Sequence, residues 1–200
     1  MLPSGLPARA PAREPVRVES IQLVKIGPFP EGLAEDLAAR LSRRVPAPCQ
    51  VRASPLDVEV PWLPDRQEQV DADALLRRLE AEPVDDGAIL VGVTSLDLAV
   101  PIFTFVFGRA RHDGRAALVS LARLRPEFYG LPADAALTAR RTVAEILHEL
   151  GHVGGLRHCD DGSCLLRFAA SVETVDLRGS SVCSACEAML PAGLRRGGPG

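Results

Sequence analysis

The stretch 148-HELGHVGGLRH-158 decides how the rest of this 200-residue chain is read. On a helix His148 and His152 stand four residues apart, so both imidazoles leave one face about a turn from each other. That spacing lets two ring nitrogens reach a single zinc ion at about 2.0–2.1 Å. Glu149 lies off the ligand face, where it is a poor ligand but can reach a water on the metal. Gly155 can adopt left-handed dihedrals and stop the helix, and the turn brings back His158 as third ligand. Three neutral histidines leave one tetrahedral position open, the pattern of a catalytic zinc. The chemistry expected is metal-assisted hydrolysis, most naturally of a peptide bond. Zinc would lower the pKa of its water towards ~7 and polarise the carbonyl, with Glu149 passing the water's proton to the leaving amine. The competing reading is a helix with ordinary surface or core histidines. Five specified positions match by chance in roughly one such chain in ten thousand. The remaining histidine, His112, reads as a solvated turn residue without a role.

A second cluster begins at the next residue. Cys159-x4-Cys164 and Cys183-x2-Cys186 are two short hooks separated by 18 residues. Four thiolates at such spacing can close a tetrahedral zinc site, with Zn–S near ~2.3 Å and no open position, which makes it structural. Adjacent side chains do not easily share one ion, so His158 and Cys159 point to two zinc ions per chain, one catalytic and one structural. Disulfides and unrelated free thiols are the alternatives. Cys49 has no partner nearby and reads as a small buried hydrophobe.

Outward from these motifs, the helix bearing the histidines runs from about Asp134, a plausible N-cap, to about Gly151, with Val143, Ile146, Leu147 and Leu150 as its buried stripe. Phe103 to Ala110 and Ala116 to Leu121 are strand-like runs around a turn signal, Asp113-Gly114. Ala88 to Val93 is a continuous apolar run, as in a strand covered on both faces. Val70 to Glu82 and Glu31 to Arg44 read as amphipathic helices, and Val16 to Ile26 and Gln50 to Ala53 as strands. The last 35 residues lose periodicity. Helices alternating with strands, then an irregular end, imply an α/β class with a mixed sheet and a small loop-rich C-terminal lobe. Residues 1–15 and 191–200 read as flexible tails around a domain at 16–190.

Composition excludes several functions. The chain is 46% hydrophobic and 24% charged, with a formal net charge of −3. It is therefore not of the disordered class and has no basic excess for nucleic acid or anionic lipid. No apolar run approaches the roughly 18 residues of a membrane helix, and the N-terminal residues lack the apolar core of a secretory signal. A cytoplasmic, reducing setting is expected, in which clustered cysteines serve metals more often than disulfides. A monomer with a peptide or protein substrate, and neither nucleic-acid nor membrane partner, completes the expectation.

The extended motif from His148 to His158 resembles that of the metzincin metallopeptidases. A cysteine directly after the third histidine, then the four-cysteine pattern, narrows the resemblance to the archaemetzincins. The runs 93-VTSLDL-98, 105-FVFGRA-110 and 120-SLARL-124 also resemble that family. The resemblance implies an upper α/β subdomain (16–156) whose active-site helix carries the first two histidines, above a small lower subdomain (157–190), with the catalytic zinc in the cleft between. It implies an edge strand, from the 103–122 region, that pairs with extended substrate. The family pattern has methionine two residues after the second cysteine, in the turn beneath the zinc; here that position is Leu166. Two functions are carried forward: a zinc metallopeptidase, favoured by Glu149, and a catalytically silent two-zinc binding protein, favoured by Leu166.

Overall fold

Ala88–Thr94 (β5) carries no charged residue and is buried at all seven positions. It forms the middle of a five-stranded sheet in the order β2-β1-β5-β9-β8, with β1 Ser20–Ile26, β2 Cys49–Val51, β8 Gly108–Ala110 and β9 Ala116–Ser120. Neighbours pair in parallel except β8, the outer strand, which runs antiparallel to β9. The structure is a computed structural model describing residues 16–53, 56, 59–112 and 114–195. The expected N-terminal tail, residues 196–200 and Asp113 of the turn signal lie outside the described residues.

Alternation along the strands divides the core by face. Ile21, Leu23, Ile89, Val91 and Val119 point to one side, where α1 (Leu33–Leu41) and α3 (Ala135–Val153) bring Leu37, Leu41, Val143, Ile146 and Leu150. Val24, Ile26, Leu90 and Leu118 point to the other, against Leu75, Leu76 and Leu79 of α2 (Ala72–Glu80). Asp134 caps α3 as expected, accepting a hydrogen bond from the Leu137 amide at 2.8 Å.

A second, four-stranded sheet was not expected. Its order is β3-β4-β6-β7, from Trp62–Leu63, Arg66–Asp71, Asp97–Val100 and Phe103–Val106. Val70 and Asp71, expected in a helix, end strand β4. Asp71 then caps α2 by accepting from the Ala74 amide, so the helix starts two residues late. The run 103–110, expected as one strand, changes partners at Phe107: β7 pairs with β6 in the small sheet and β8 with β9 in the large one.

The C-terminal lobe is more ordered than its lost periodicity implied. It contains α4 (Val172–Leu177), capped by the Ser171 side chain, and α5 (Ser184–Met189), which begins after Cys183 without a side-chain cap. Residues 191–195 do not form the expected free tail. Leu194 is buried in the main core, and the Gly193 carbonyl accepts a hydrogen bond from the Ala47 amide. Arg195 adds hydrogen bonds to the carbonyls of Ala188 and Leu190, so the segment is held by both apolar burial and polar contacts.

Candidate active site

α3 delivers Glu145, His148, Glu149 and His152 to the floor of a cleft of about 920 Å³. The helix ends at Val153, and Gly155 takes φ +87°, a left-handed conformation that costs glycine little. The chain turns there, and His158 comes back over the other two. Ring centroids lie 4.7 Å apart for His148 and His152, 4.9 Å for His152 and His158, and 5.3 Å for His148 and His158. One nitrogen from each ring lies within 4.8 Å of the others, so the three could hold a metal ion.

Backbone carbonyls lie within hydrogen-bond reach of two of these rings, as acceptors. His152 Nδ1 is 2.7 Å from the Leu156 carbonyl, which orients its Nε2 towards His148 Nε2 at 3.1 Å. His148 Nδ1 is 2.9 Å from the Leu165 carbonyl. Carbonyls behind ligating imidazoles are the usual means of setting ring plane and tautomer. Burial lowers the pKa of all three histidines. For His152, burial and then the neighbouring His148 bring it to about 3. The rings are neutral at pH 7 and therefore ready to donate lone pairs.

Glu149 is buried, and its carboxylate lies against the backbone of Gly108 on the edge strand. A Cβ at Gly108 would sit 2.6 Å from Glu149 Oε1, so a glycine is needed there for the carboxylate to keep its place. Burial, and then the charge of Glu145, hold the Glu149 carboxyl well above the usual range. On β8, bonds to β9 at the Phe107 carbonyl and the Arg111 amide bracket the strand. By antiparallel alternation, the amide and carbonyl groups of Gly108 and Ala110 face outward. The cleft is lined along Phe103 to Ala110, so this open edge borders it, as the resemblance implied.

The chain's family follows from a comparison over most of its length. Residues 46–191 match Peptidase family M54. The chain belongs to this family, that of the archaemetzincins. It is 47% identical over 100 residues to the archaemetzincin of Thermococcus kodakarensis, covering 50% of this chain and 54% of that one. It is 33% identical over 173 residues to that of Aeropyrum pernix, covering 84% and 91%. The chain spans about half the length of the first relatives it matches. Among solved structures it is similar to a zinc-dependent peptidase from Methanocorpusculum labreanum, with TM-score 0.76, 27% identity, and 85% and 99% of the two chains covered. It is also similar to the archaemetzincin of Archaeoglobus fulgidus in complex with malonate, with TM-score 0.72, 30% identity, and 85% and 99% covered.

The four cysteines of the family pattern also converge, with their sulfurs within 4.8 Å of one another. The close contacts run across the hooks: Cys159 to Cys183 and Cys164 to Cys186, each 3.9 Å. Cys164 Sγ accepts from the amides of Leu166 (3.4 Å) and Cys183 (3.3 Å), bonds that support negative charge on sulfur. Cys49 stands apart, half-buried, and burial pushes its thiol up to about 11. Leu166 is fully buried against α3, where a Cβ on Gly151 would lie 2.5 Å from its Cδ2.

Three cleft residues escaped the sequence reading. His112, read as a turn residue without a role, has its ring 5.0 Å from that of His152 and lines the cleft. Glu145 and Arg178 form a buried ion pair behind His148. Glu145 lies one turn before His148, so its helical face was legible; its partner, 33 residues on in the other lobe, gave no signal.

Proposed function

We propose that this chain is a zinc-dependent peptidase in which His148, His152 and His158 hold the catalytic ion and Glu149 is the general base. The observation that carries the proposal is the convergence of three neutral imidazoles beside a buried carboxylate, in a cleft bordered by an open strand edge. The donor set fits zinc. Two ligands of a tetrahedral zinc stand about 3.3 Å apart, close to the 3.1 Å between His148 Nε2 and His152 Nε2. When bound, the ion would acidify a water and polarise the carbonyl of the bond to be cut.

The protein's own groups supply the rest. An extended peptide would add to the outward amides and carbonyls of Gly108 and Ala110, which give affinity without demanding a sequence. Because Glu149 touches Gly108, a peptide bond aligned on that edge lies beside the carboxylate. A buried carboxylate with a raised pKa is suited to take the attacking water's proton and return it to the leaving amine. Cys159, Cys164, Cys183 and Cys186 would hold a second, structural zinc. Four free thiols suit the reducing, cytoplasmic setting expected from the sequence. No helix among the described residues is long and apolar enough to cross a membrane. On this reading the chain divides into an upper part up to residue 156 and a lobe from 157 to 190, a division supported by cleft-lining residues from both, among them Gly108 and His148 from the first and His158 and Phe168 from the second.

Leu166, in place of the family's methionine, favours the second reading, a silent two-zinc binding protein. A peptide library assayed with wild type and Glu149→Gln, with zinc content measured on both, separates them. Wild-type cleavage should be abolished by chelator and restored by zinc, and the variant should keep its metal while losing ~10²–10⁴-fold in rate. A wild type that carries both ions yet cleaves nothing supports the silent reading. A variant as fast as wild type would place the base elsewhere.

A further inference from the structure

Two groups of the C-terminal lobe reach the same atom of His148, and they ask opposite things of it. The Leu165 carbonyl is 2.9 Å from His148 Nδ1 and can only accept a hydrogen bond. Arg178 Nη1 is 3.0 Å from the same nitrogen and can only donate. A ring nitrogen carries either a hydrogen or a lone pair, so the two bonds cannot coexist. Arg178 is held in place: its side chain is 1% exposed, its Nη2 is bonded to the buried Glu145 carboxylate, and its Nε has no partner among the described residues. With Nε already unpaired, losing the bond from Nη1 to His148 would leave a second buried nitrogen of the guanidinium without its acceptor.

We propose that Arg178, clamped by Glu145, is a positioning residue that selects the tautomer of His148 and so sets how readily the histidine site takes its ion; this rests on the zinc reading above. When Nδ1 accepts from Arg178, the ring hydrogen is on Nε2 and points at His152 Nε2, 3.1 Å away, where it makes a hydrogen bond. That arrangement satisfies the ion-free site. When Nδ1 instead donates to the Leu165 carbonyl, Nε2 has the lone pair an ion requires. Loading moves one ring hydrogen from Nε2 to Nδ1 through water, with no net gain or loss of protons, and passes the Nδ1 bond from Arg178 to Leu165. Arg178 therefore supports the ion-free form and the backbone carbonyl the ion-bearing form. Both levers belong to the lobe stapled by the cysteines, and this couples the docking of that lobe to ion uptake.

The tautomer is directly measurable. In protein labelled with ¹⁵N at histidine, long-range ¹H–¹⁵N correlations report which ring nitrogen of His148 bears the hydrogen as zinc is added from zero to two equivalents. The expected result is hydrogen on Nε2 before the histidine site fills and on Nδ1 afterwards. In Glu145→Gln/Arg178→Met, which removes the pair without changing net charge, the hydrogen should be on Nδ1 throughout. Zinc affinity of its histidine site, read by competition with a chromogenic chelator, should rise about tenfold, the lower end of what outer groups around a metal ligand contribute. Hydrogen on Nδ1 in ion-free wild type would overturn the inference, as would a folded double variant with unchanged or weaker affinity. If that variant does not fold, the wild-type tautomer alone decides. Ring signals of His148 that ignore zinc altogether would overturn the zinc reading, and this inference with it.

Discussion

The histidine cluster and the cysteine cluster touch in sequence, at His158 and Cys159, yet they are built on opposite principles. Two of the three histidines ride on a 19-residue helix packed against the large sheet, and carbonyls fix their rings. The placement of that helix follows from apolar burial. The cysteines sit on turns and at the start of α5, a helix of six residues, which is too short to be stable from its own backbone bonds. Half-buried Cys159 and Cys183 face buried Cys164 and Cys186, and no disulfide joins them. On the proposed reading, the difference separates an ion that would act on a substrate, on a framework set by core packing, from one that would act on the fold of its own lobe.

The largest effect that could break this contrast is loss of the thiolate site. Cys186→Ser should unfold the C-terminal lobe, because structural zinc contributes ~10–16 kcal/mol of apparent binding free energy at neutral pH. The Cys159 amide donates to the Leu166 carbonyl at 3.0 Å, and His158 precedes it directly, so the third histidine should lose its place too. Zinc analysis should show metal weakened at both sites, and activity should vanish. In wild type the order of loss to a chelator should be histidine site first. A Cys186→Ser protein with full zinc and an unchanged melting temperature would end the structural assignment.

A smaller effect tests the histidine side alone. Gly108→Ala puts a methyl where Glu149 Oε1 now rests, 2.6 Å away, while touching no candidate ligand. The carboxylate must move by a few tenths of an ångström or more, and hydrolysis should fall by about 10–10²-fold. Zinc content should stay at the wild-type level. Equal loss of zinc and activity would mean that the edge strand supports the ligands rather than the base.

What was legible in the sequence follows the same division. α3, its cap and its two histidines were readable because a 3.6-residue apolar period and a five-position motif coincide on one helix, and β5 because its apolar run is unbroken. The small sheet was not: β4 reads RQEQVD, two of its strands are four residues long and one is two, and each is ordered by its neighbours rather than by its own pattern. His112 is an exposed turn residue, as its sequence setting implied, but its place 5.0 Å from the His152 ring, across 40 residues of chain, left no local trace. The Glu145–Arg178 pair joins two lobes, and a contact 33 residues long leaves no local trace. Pro191–Arg195 looked like a tail because its anchors, buried Leu194, the Gly193 carbonyl and the Arg195 side chain, form no periodic pattern.

The smallest effect concerns Leu166, the residue that departs from the family pattern. Its side chain is fully buried against α3 at Gly151. The turn that carries it is fixed by main-chain groups: the Leu166 carbonyl accepts from Cys159, the Leu165 amide donates to the Ser181 carbonyl, and the Leu165 carbonyl reaches His148. None of these bonds depends on what the side chain is. Leucine and methionine are close in volume, so Leu166→Met should cost less than ~1.5 kcal/mol and move the melting temperature by only about 5 °C or less. Hydrolysis should stay the same or rise. If methionine raises the rate severalfold at unchanged zinc content, the sulfur beneath the histidines tunes the ion and wild type is a weakened enzyme. A variant that loses zinc from the histidine site would show that packing of this one side chain, and not the backbone around it, holds the open site in shape.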